Sequence, residues 1–468
     1  MSEIINHEKI IRKVSSLERI FYRSPYAIIT MIARIKGNIS ENLLKDALNK
    51  VQQRHMNLRV RIYEDEEHDL WFTSEGVKEI PIEIITRESD EHWIDIYHNA
   101  SQIPFDFEER PVIRFILVQS PEISELIILC HHIICDGISL AYLVRDIMMH
   151  LGDPVREVEV LPDPLPVDID NFPRDVSINV ITKFFINRIN KNWKKEEIYF
   201  DQEDYKSLNK AYWKVYSHKI LPIEFSESQT SVLVDRCRKE RVTVNTALAA
   251  AFAGAQSIIK EDRVNPNIVI AGSVRDRILK PAGESMGYFA GGINLKYKYA
   301  KKISFWENAR KLQKRVKPLY SNKNLFKELL TWCYLKPGIM DSLSYKMLGG
   351  LVPSDSSRYH KLSTFNKRND VVLSILKREK MDSLDKTFLG TVITNLTRLD
   401  FPQMYGTLEL DRLIMNPGGM FPLALVDLVI GAVTCSGKLS ILLEYVEETF
   451  DTTPIEKIKE KAMELLLK

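Results

Sequence analysis

The sequence predicts an α/β protein of two lobes, and three observations carry that prediction. Strand-like and helix-like hydrophobic patterns alternate as far as about residue 150. Residues 152–173, which hold Pro154, Pro162, Pro164, Pro166 and Pro173, then break any regular element. The alternation resumes beyond them, in a chain of 468 residues that has length enough for two cores. The boundaries that follow are a first lobe over 1–170, a linker with a basic amphipathic helix over 171–212, and a second lobe over 213–468.

In the first lobe, Ser40 and Glu41 precede an apolar stripe of Leu44, Ala47, Leu48 and Val51, the signature of an N-capped helix. Strand-like 58–63 comes next, then a polar stretch over 64–69. Residues 124–130 form a short apolar run suited to a buried strand, and 138–149 carry apolar residues at helical spacing behind the breaker Gly137. In the linker, 181–195 combine an apolar stripe with a basic face. Such a helix can pack on its own domain, lie on an anionic membrane or meet an acidic carrier protein. The second lobe opens with strand-like 213–221, then a helix over 226–240 and another over 244–260 capped by Thr243. Residues 268–271 read as a short buried strand. Segment 324–348, a candidate mobile element, offers Phe326, Leu329, Leu330, Trp332, Tyr334, Met340 and Met347 either to ordinary core or to a lipophilic channel. A strand over 439–445 and a terminal helix over 453–468, with Pro454 in its first turn, close the chain.

Composition narrows the function classes. Hydrophobic residues at 45% and charged residues at 27% are the balance of a globular protein, and 65 Lys and Arg against 63 Asp and Glu leave a net charge of only +2. No strong field is available to gather nucleic acid, so none is expected as a partner. Five scattered cysteines, at 130, 135, 237, 333 and 435, are not a disulfide framework and fit a reducing compartment. Residues 1–9 carry acids and lack the apolar region of a signal peptide, and no run approaches the roughly 20 apolar residues of a membrane span. The expected location is the cytoplasm.

The chemistry concentrates in His131-His132-Ile133-Ile134-Cys135-Asp136-Gly137, between the strand of 124–130 and the helix of 138–149. Such a turn holds a side chain from the strand side and leaves its tip in a cavity. A neutral imidazole, with an ordinary pKa of about 6.5, takes a proton from an alcohol or amine, and this contributes roughly 10²–10⁴-fold in rate. Asp136 can orient that imidazole as a triad acid does, or turn away and pair with an arginine. Cys130, His131, His132, Cys135 and Asp136 also have metal-ligand chemistry. Neighbours on a strand end point to opposite faces, however, and no second Cys or His cluster lies elsewhere, so no metal is expected. Plain packing is the remaining reading. The chain has no Gly-x-Ser-x-Gly elbow, which argues against a serine hydrolase.

His-His-x-x-x-Asp-Gly resembles the signature of the condensation-domain superfamily. That superfamily includes condensation domains of nonribosomal peptide synthetases, chloramphenicol acetyltransferase-like enzymes, polyketide-associated acyltransferases and plant BAHD acyltransferases. Further elements resemble it along nearly the whole chain. They are Arg54-His55-x-x-Leu58-Arg59, Ile103-Pro104-Phe105-Asp106, Pro111-Val112-Ile113-Arg114, Gly272-Ser273-Val274-Arg275, Met286-Gly287-Tyr288-Phe289 and Thr394-Asn395-Leu396. The Asp-Phe-Gly-Trp-Gly motif of the plant enzymes is absent; the corresponding stretch reads Met415-Asn416-Pro417-Gly418-Gly419-Met420-Phe421, which points to bacterial or archaeal stand-alone enzymes instead.

The resemblance implies two α/β lobes similar to chloramphenicol acetyltransferase, set in a V, with the active site in a tunnel between them. It implies an O- or N-acyltransferase that moves an acyl group from a thioester to a hydroxyl or amine without a covalent acyl-enzyme. His132 is then the general base and His131 a structural neighbour. Asp136 holds the turn through Arg59 or Arg275, Gly137 leaves room for the donor's thioester arm, and Asn395 lies where a polar group can meet the oxyanion. No cofactor is bound tightly; acyl-coenzyme A or a phosphopantetheinyl thioester on an acyl-carrier protein is the co-substrate. The acceptor is a small alcohol or amine, lipophilic if segment 324–348 lines its channel. The competing expectation is a non-catalytic relative that docks a carrier protein or partner.

Overall fold

The computed structural model describes residues 10–260, 264–378, 389–418, 426–448 and 455–467. Residues 1–9, Thr453, Pro454, and the stretch from Gly419 to Phe421 lie outside them. Two six-stranded sheets carry the architecture. The first runs in the order Met404–Tyr405, Leu408–Asn416, Ile28–Lys36, Ile123–His131, Ile113–Gln119, Ile82–Thr86, antiparallel except for its last pair. The second runs Ala290–Lys296, Asn267–Ser273, Leu389–Arg398, Val426–Cys435, Lys438–Val446, His218–Glu224. Its two central pairings, on either side of Leu389–Arg398, are parallel. A small sheet of Ile10–Lys13, Leu70–Thr73 and Arg61–Glu64 stands apart.

The histidine strand is central because of what it is made of. Leu126, Ile127, Ile128 and Leu129 are fully buried, and each contributes roughly 1.5–3 kcal/mol relative to exposure. A run of this kind, apolar on both faces, belongs inside a covered sheet. Its register against Ile28–Lys36 pairs His131 with Ile28, so the strand ends where the motif begins. Helices Glu41–Arg54 and Gly137–Gly152 pack together over this lobe. Ser40 caps the first by accepting from the Leu43 N–H, and Asp136 caps the second by accepting from the Ser139 N–H. In the second lobe, helices Val244–Ile259 and Ile455–Leu467 pack against each other, and the alanines of the former permit that approach.

Several expectations change in detail. The strand read over 58–63 is a 3₁₀ turn, Met56–Leu58, followed by the strand Arg61–Glu64. The strand read over 213–221 begins only at His218, because Trp213 belongs to a helix, Gln202–Val215. A capping box between Asp201 and Asp204 starts that helix and fixes its phase. The helix begins in the stretch read as linker, runs three residues past its end and packs on the first lobe: Gln202 donates to the Phe105 carbonyl, and Asn209 to that of Gln102. Phe326, Leu330, Met340 and Met347, offered to core or to a channel, are buried core. Strand Leu408–Asn416, from within the span 213–468, pairs with Ile28–Lys36 and so completes the sheet of the first lobe. Its neighbour in sequence, Val426–Cys435, lies in the other sheet. Where they cross, a Cβ on Gly431 would stand 2.1 Å from the Met415 carbonyl oxygen, so only glycine fits.

Candidate active site

The turn after the histidine strand is built by hydrogen bonds from both lobes. The His132 N–H donates to the Ala27 carbonyl, which continues the sheet one residue past the strand. Asp136 then reverses the chain. Its Oδ1 accepts from the Ser139 N–H at 2.7 Å, the Ser139 hydroxyl at 2.8 Å and Arg275 Nη2 at 3.1 Å, while its Oδ2 accepts from the Phe289 N–H at 3.1 Å. Asp136 is therefore a structural carboxylate turned away from the imidazoles, with Arg275 as its partner.

Arg275 lies just past strand Asn267–Ser273 of the second lobe and is itself buried. It donates to the carbonyls of Gly283 and Ser285, and its guanidinium lies over the Phe289 ring at 4.6 Å. Arg59, the other expected partner, is exposed and makes no side-chain hydrogen bond among the described residues. The reason lies five residues earlier. Helix Glu41–Arg54 ends so that Arg54 and His55 turn inward onto Asp146, at 2.8 and 2.9 Å, while the 3₁₀ turn carries Arg59 outward.

The two histidines have opposite surroundings. His131 is fully buried, edge-on to Phe107 at 4.9 Å, with Nε2 at 3.3 Å from the Ser24 carbonyl. Burial pushes its pKa down to about 3, so it stays neutral and is a poor proton acceptor. His132 is half-buried, its ring set between Phe21, with centroids 4.9 Å apart, and Tyr288, at 5.7 Å. Burial lowers its pKa as well, opposed by contacts to two carbonyls: Nδ1 to Cys135 at 3.1 Å and Nε2 to Pro417 at 2.9 Å. A neutral imidazole has one N–H to donate, so it satisfies only one of these carbonyls at a time.

Sequence reasoning placed Pro417 in a stretch that departs from the plant motif but missed what it touches. Gly418, at φ +57°, crosses the end of strand Ile28–Lys36 so tightly that a Cβ there would lie 1.7 Å from the Ile28 carbonyl oxygen. Asn416 braces this crossing by accepting from the Gly418 N–H and donating to the Tyr97 hydroxyl at 2.5 Å. Behind Tyr97 stands a buried group in which His218 contacts Glu444 at 2.9 Å and the Tyr212 hydroxyl at 2.7 Å. The only sequence signal for the crossing is the Asn-Pro-Gly triplet, which marks a turn without saying what the turn meets.

Gly137 opens the motif helix against Leu396 and Met415; a Cβ there would come within 2.8 Å of Leu396 and 3.0 Å of the Met415 sulfur. The space expected to receive a thioester arm thus holds two apolar side chains here. Asn395 is half-buried, and its carboxamide oxygen accepts from the Thr397 N–H at 2.7 Å; no hydrogen bond joins it to the His132 ring among the described residues. It is Leu396, next to it, that reaches the turn. Among the described residues no three His, Cys, Asp or Glu side chains are grouped to hold a metal. A small cleft lined by Tyr22, Arg23, Glu64, Tyr199, Phe200 and Asp341 contains none of the predicted site residues.

Residues 17–153 match the family model described as "Condensation domain". The linear gramicidin synthase of Brevibacillus parabrevis is 23% identical over 363 residues, 71% of this chain and 6% of that protein. The curated relatives are far longer than the matched stretch, which spans between 1% and 6% of their length. Trichothecene 15-O-acetyltransferase TRI3 from Fusarium sporotrichioides shares the fold with a TM-score of 0.63 at 11% identity, over 97% of this chain and 95% of that one. The epimerization domain from the third module of tyrocidine synthetase B shares it at 0.58 and 12%, over 98% and 96%.

Proposed function

We propose that this chain, whose residues 17–153 match the condensation-domain family model and which shares its fold with a condensation domain and an O-acetyltransferase, is an acyltransferase of the condensation-domain superfamily. It moves an acyl group from a thioester, on coenzyme A or on a carrier protein's phosphopantetheine, to a hydroxyl or amine. The observation that carries this reading is the half-buried imidazole of His132, gripped by the first lobe and faced by Tyr288 of the second. With Nδ1–H donated to the Cys135 carbonyl, Nε2 keeps its lone pair between the lobes.

In the reaction, the acceptor's O–H or N–H takes the place of the Pro417 carbonyl at Nε2 and gives up its proton there. The oxygen or nitrogen bonds to the thioester carbon, and the carbonyl becomes an oxyanion, for which Asn395 Nδ2 is the candidate donor. Collapse breaks the C–S bond, and His132 returns the proton to the departing thiolate. The two lobes exclude water, which would otherwise compete as acceptor.

The contact of Pro417 on Nε2 favours a second reading, in which the base is permanently covered and the chain docks a carrier protein without turnover. Thiol release from a panel of acyl-thioesters, with and without alcohols and amines, separates the two. The first reading predicts acceptor-dependent release that falls by roughly 10²–10⁴-fold in His132→Ala, with no acyl adduct on the protein by intact mass. Release undiminished in His132→Ala would overturn it. Carrier binding with no thioester consumed would establish the second reading. Inversion of a stereocentre without thiol release would assign the epimerase chemistry of a fold relative instead.

A further inference from the structure

We propose that the helix Val180–Trp193 is a surface anchor that seats this protein on an anionic lipid bilayer. The helix is about 21 Å long and touches the molecule along a narrow strip. Ile186 and Trp193 are buried and Ile189 is half-buried, while Asn190 donates to the Tyr334 carbonyl and accepts from the Lys336 N–H. Everything else on the helix but the half-buried Thr182 faces outward. Val180, Ile181, Phe184 and Phe185 are 83%, 70%, 65% and 47% exposed. Phe184 and Phe185, rings 5.9 Å apart, are the only exposed phenylalanines among the described residues.

Helical winding places Val180, Phe184, Arg188 and Lys191 on one outward ridge, and Lys195 follows in the turn just past the helix end. Its first half is therefore apolar and its second half cationic. Lys183, Arg188, Lys191, Lys194 and Lys195 are all exposed, and none of the five makes a salt bridge among the described residues. No acid interrupts residues 180–195. The acids that follow are engaged elsewhere: Glu196 faces Arg368, and Glu197 accepts the Tyr199 hydroxyl. On a chain whose net charge is only +2, five cations without a salt bridge among the described residues, of which Lys183 lies over the Tyr334 ring, beside four exposed apolar side chains are a concentrated signal.

The shape selects the partner. The apolar residues form a convex wedge, and a folded protein would need a matching pocket to receive it. A fluid bilayer needs none: the phenylalanines enter the headgroup and acyl boundary while the cations meet lipid phosphates. The proposal does not depend on the acyl-transfer reading.

Flotation of the full chain with vesicles of phosphatidylcholine, alone or mixed with phosphatidylglycerol, tests it. The chain is expected to float with the anionic vesicles only and to come off as salt rises. Phe184→Ser with Phe185→Ser removes the wedge and should abolish flotation. Lys191→Gln with Lys194→Gln should weaken it about 25-fold, at about fivefold per cation. All four positions are exposed, so unchanged thermal melts will confirm that the variants fold. No flotation, equal flotation with neutral vesicles, or flotation indifferent to these substitutions would overturn the proposal. So would capture of a purified acidic carrier protein through Phe184 and Phe185 by a chain that ignores vesicles.

Discussion

His131 and His132 are adjacent in the chain, yet one ring is sealed among aromatic side chains and the other stands at the junction of two lobes. Burial holds His131 neutral down to about pH 3, well below the ordinary value of about 6.5. Between those values the unfolded chain binds a proton that the folded chain refuses. The stability His131 contributes is therefore complete above about pH 6.5 and is lost as pH falls toward about 3. Urea unfolding against pH should show this as a slope that becomes shallower in His131→Leu. Asp136 and Arg275 form a buried pair, at 3.1 Å and with little exposure on either side. Arg275→Ala leaves the carboxylate uncompensated and should lower the unfolding free energy by about 3–5 kcal/mol. Arg59→Ala, on an exposed residue, should change it by about 0.5 kcal/mol or less. The residues alone left Asp136 either to orient an imidazole or to pair with an arginine; the resemblance implied the pairing, with Arg59 or Arg275, but not which arginine. The choice depends on where a helix ends, and a shift of one or two residues there turns Arg54 inward and Arg59 out.

Single elements carry the constraints that residue types alone do not reveal. The strand Ile123–His131 and the helix Gly137–Gly152 were legible because an apolar run, a glycine breaker and helical spacing lie in sequence order, while the cap by Asp136 emerges only in the structure. The helix Gln202–Val215 was hidden because its aromatic residues near 212–216 mimic a strand, while the capping box that starts it is made of two ordinary aspartates. Least visible was strand Leu408–Asn416. It pairs with Ile28–Lys36, hundreds of residues away, and local pattern cannot encode such a partner. Amide hydrogen exchange should therefore find Leu408–Asn416 protected together with Ile28–Lys36 and released with the first lobe on partial unfolding. Gly418, just past that strand, has no room for a side chain. Gly418→Ala should cost at least the roughly 1–3 kcal/mol of a strained backbone.

At the scale of the whole molecule, three of the contacts that tie the lobes involve the motif or the helices packed beside it. Arg275 and Phe289 hold Asp136, the Asn57 side chain donates to the carbonyls of Ile134 and Met286, and Glu284 accepts from Arg54 and Arg145. Asp146 gathers His55, Arg54 and Arg145 beneath them; burial works to raise its carboxyl pKa, and the hydrogen bonds from His55 and Arg145 outweigh it. The α/β class and the strand, turn and helix of the motif were readable from local pattern, whereas the setting of that turn between two lobes was an expectation of the resemblance alone. The crossing of Asn416, Pro417 and Gly418 over the base was not readable, since it exists only once both sheets are assembled. In the proposed reaction His132 is the lone base. Burial lowers its pKa, so the unprotonated form persists below pH 6.5. The measurement that tests this most directly is kcat/KM for acceptor-dependent thiol release against pH, for the native chain and for His132→Ala. With His132 as the base, the profile is expected to show a plateau near neutrality and a single acid limb with its midpoint below about pH 6.5, and the variant to lose that limb together with most of the rate. An acid limb of the same midpoint in His132→Ala, at an undiminished plateau, would contradict it.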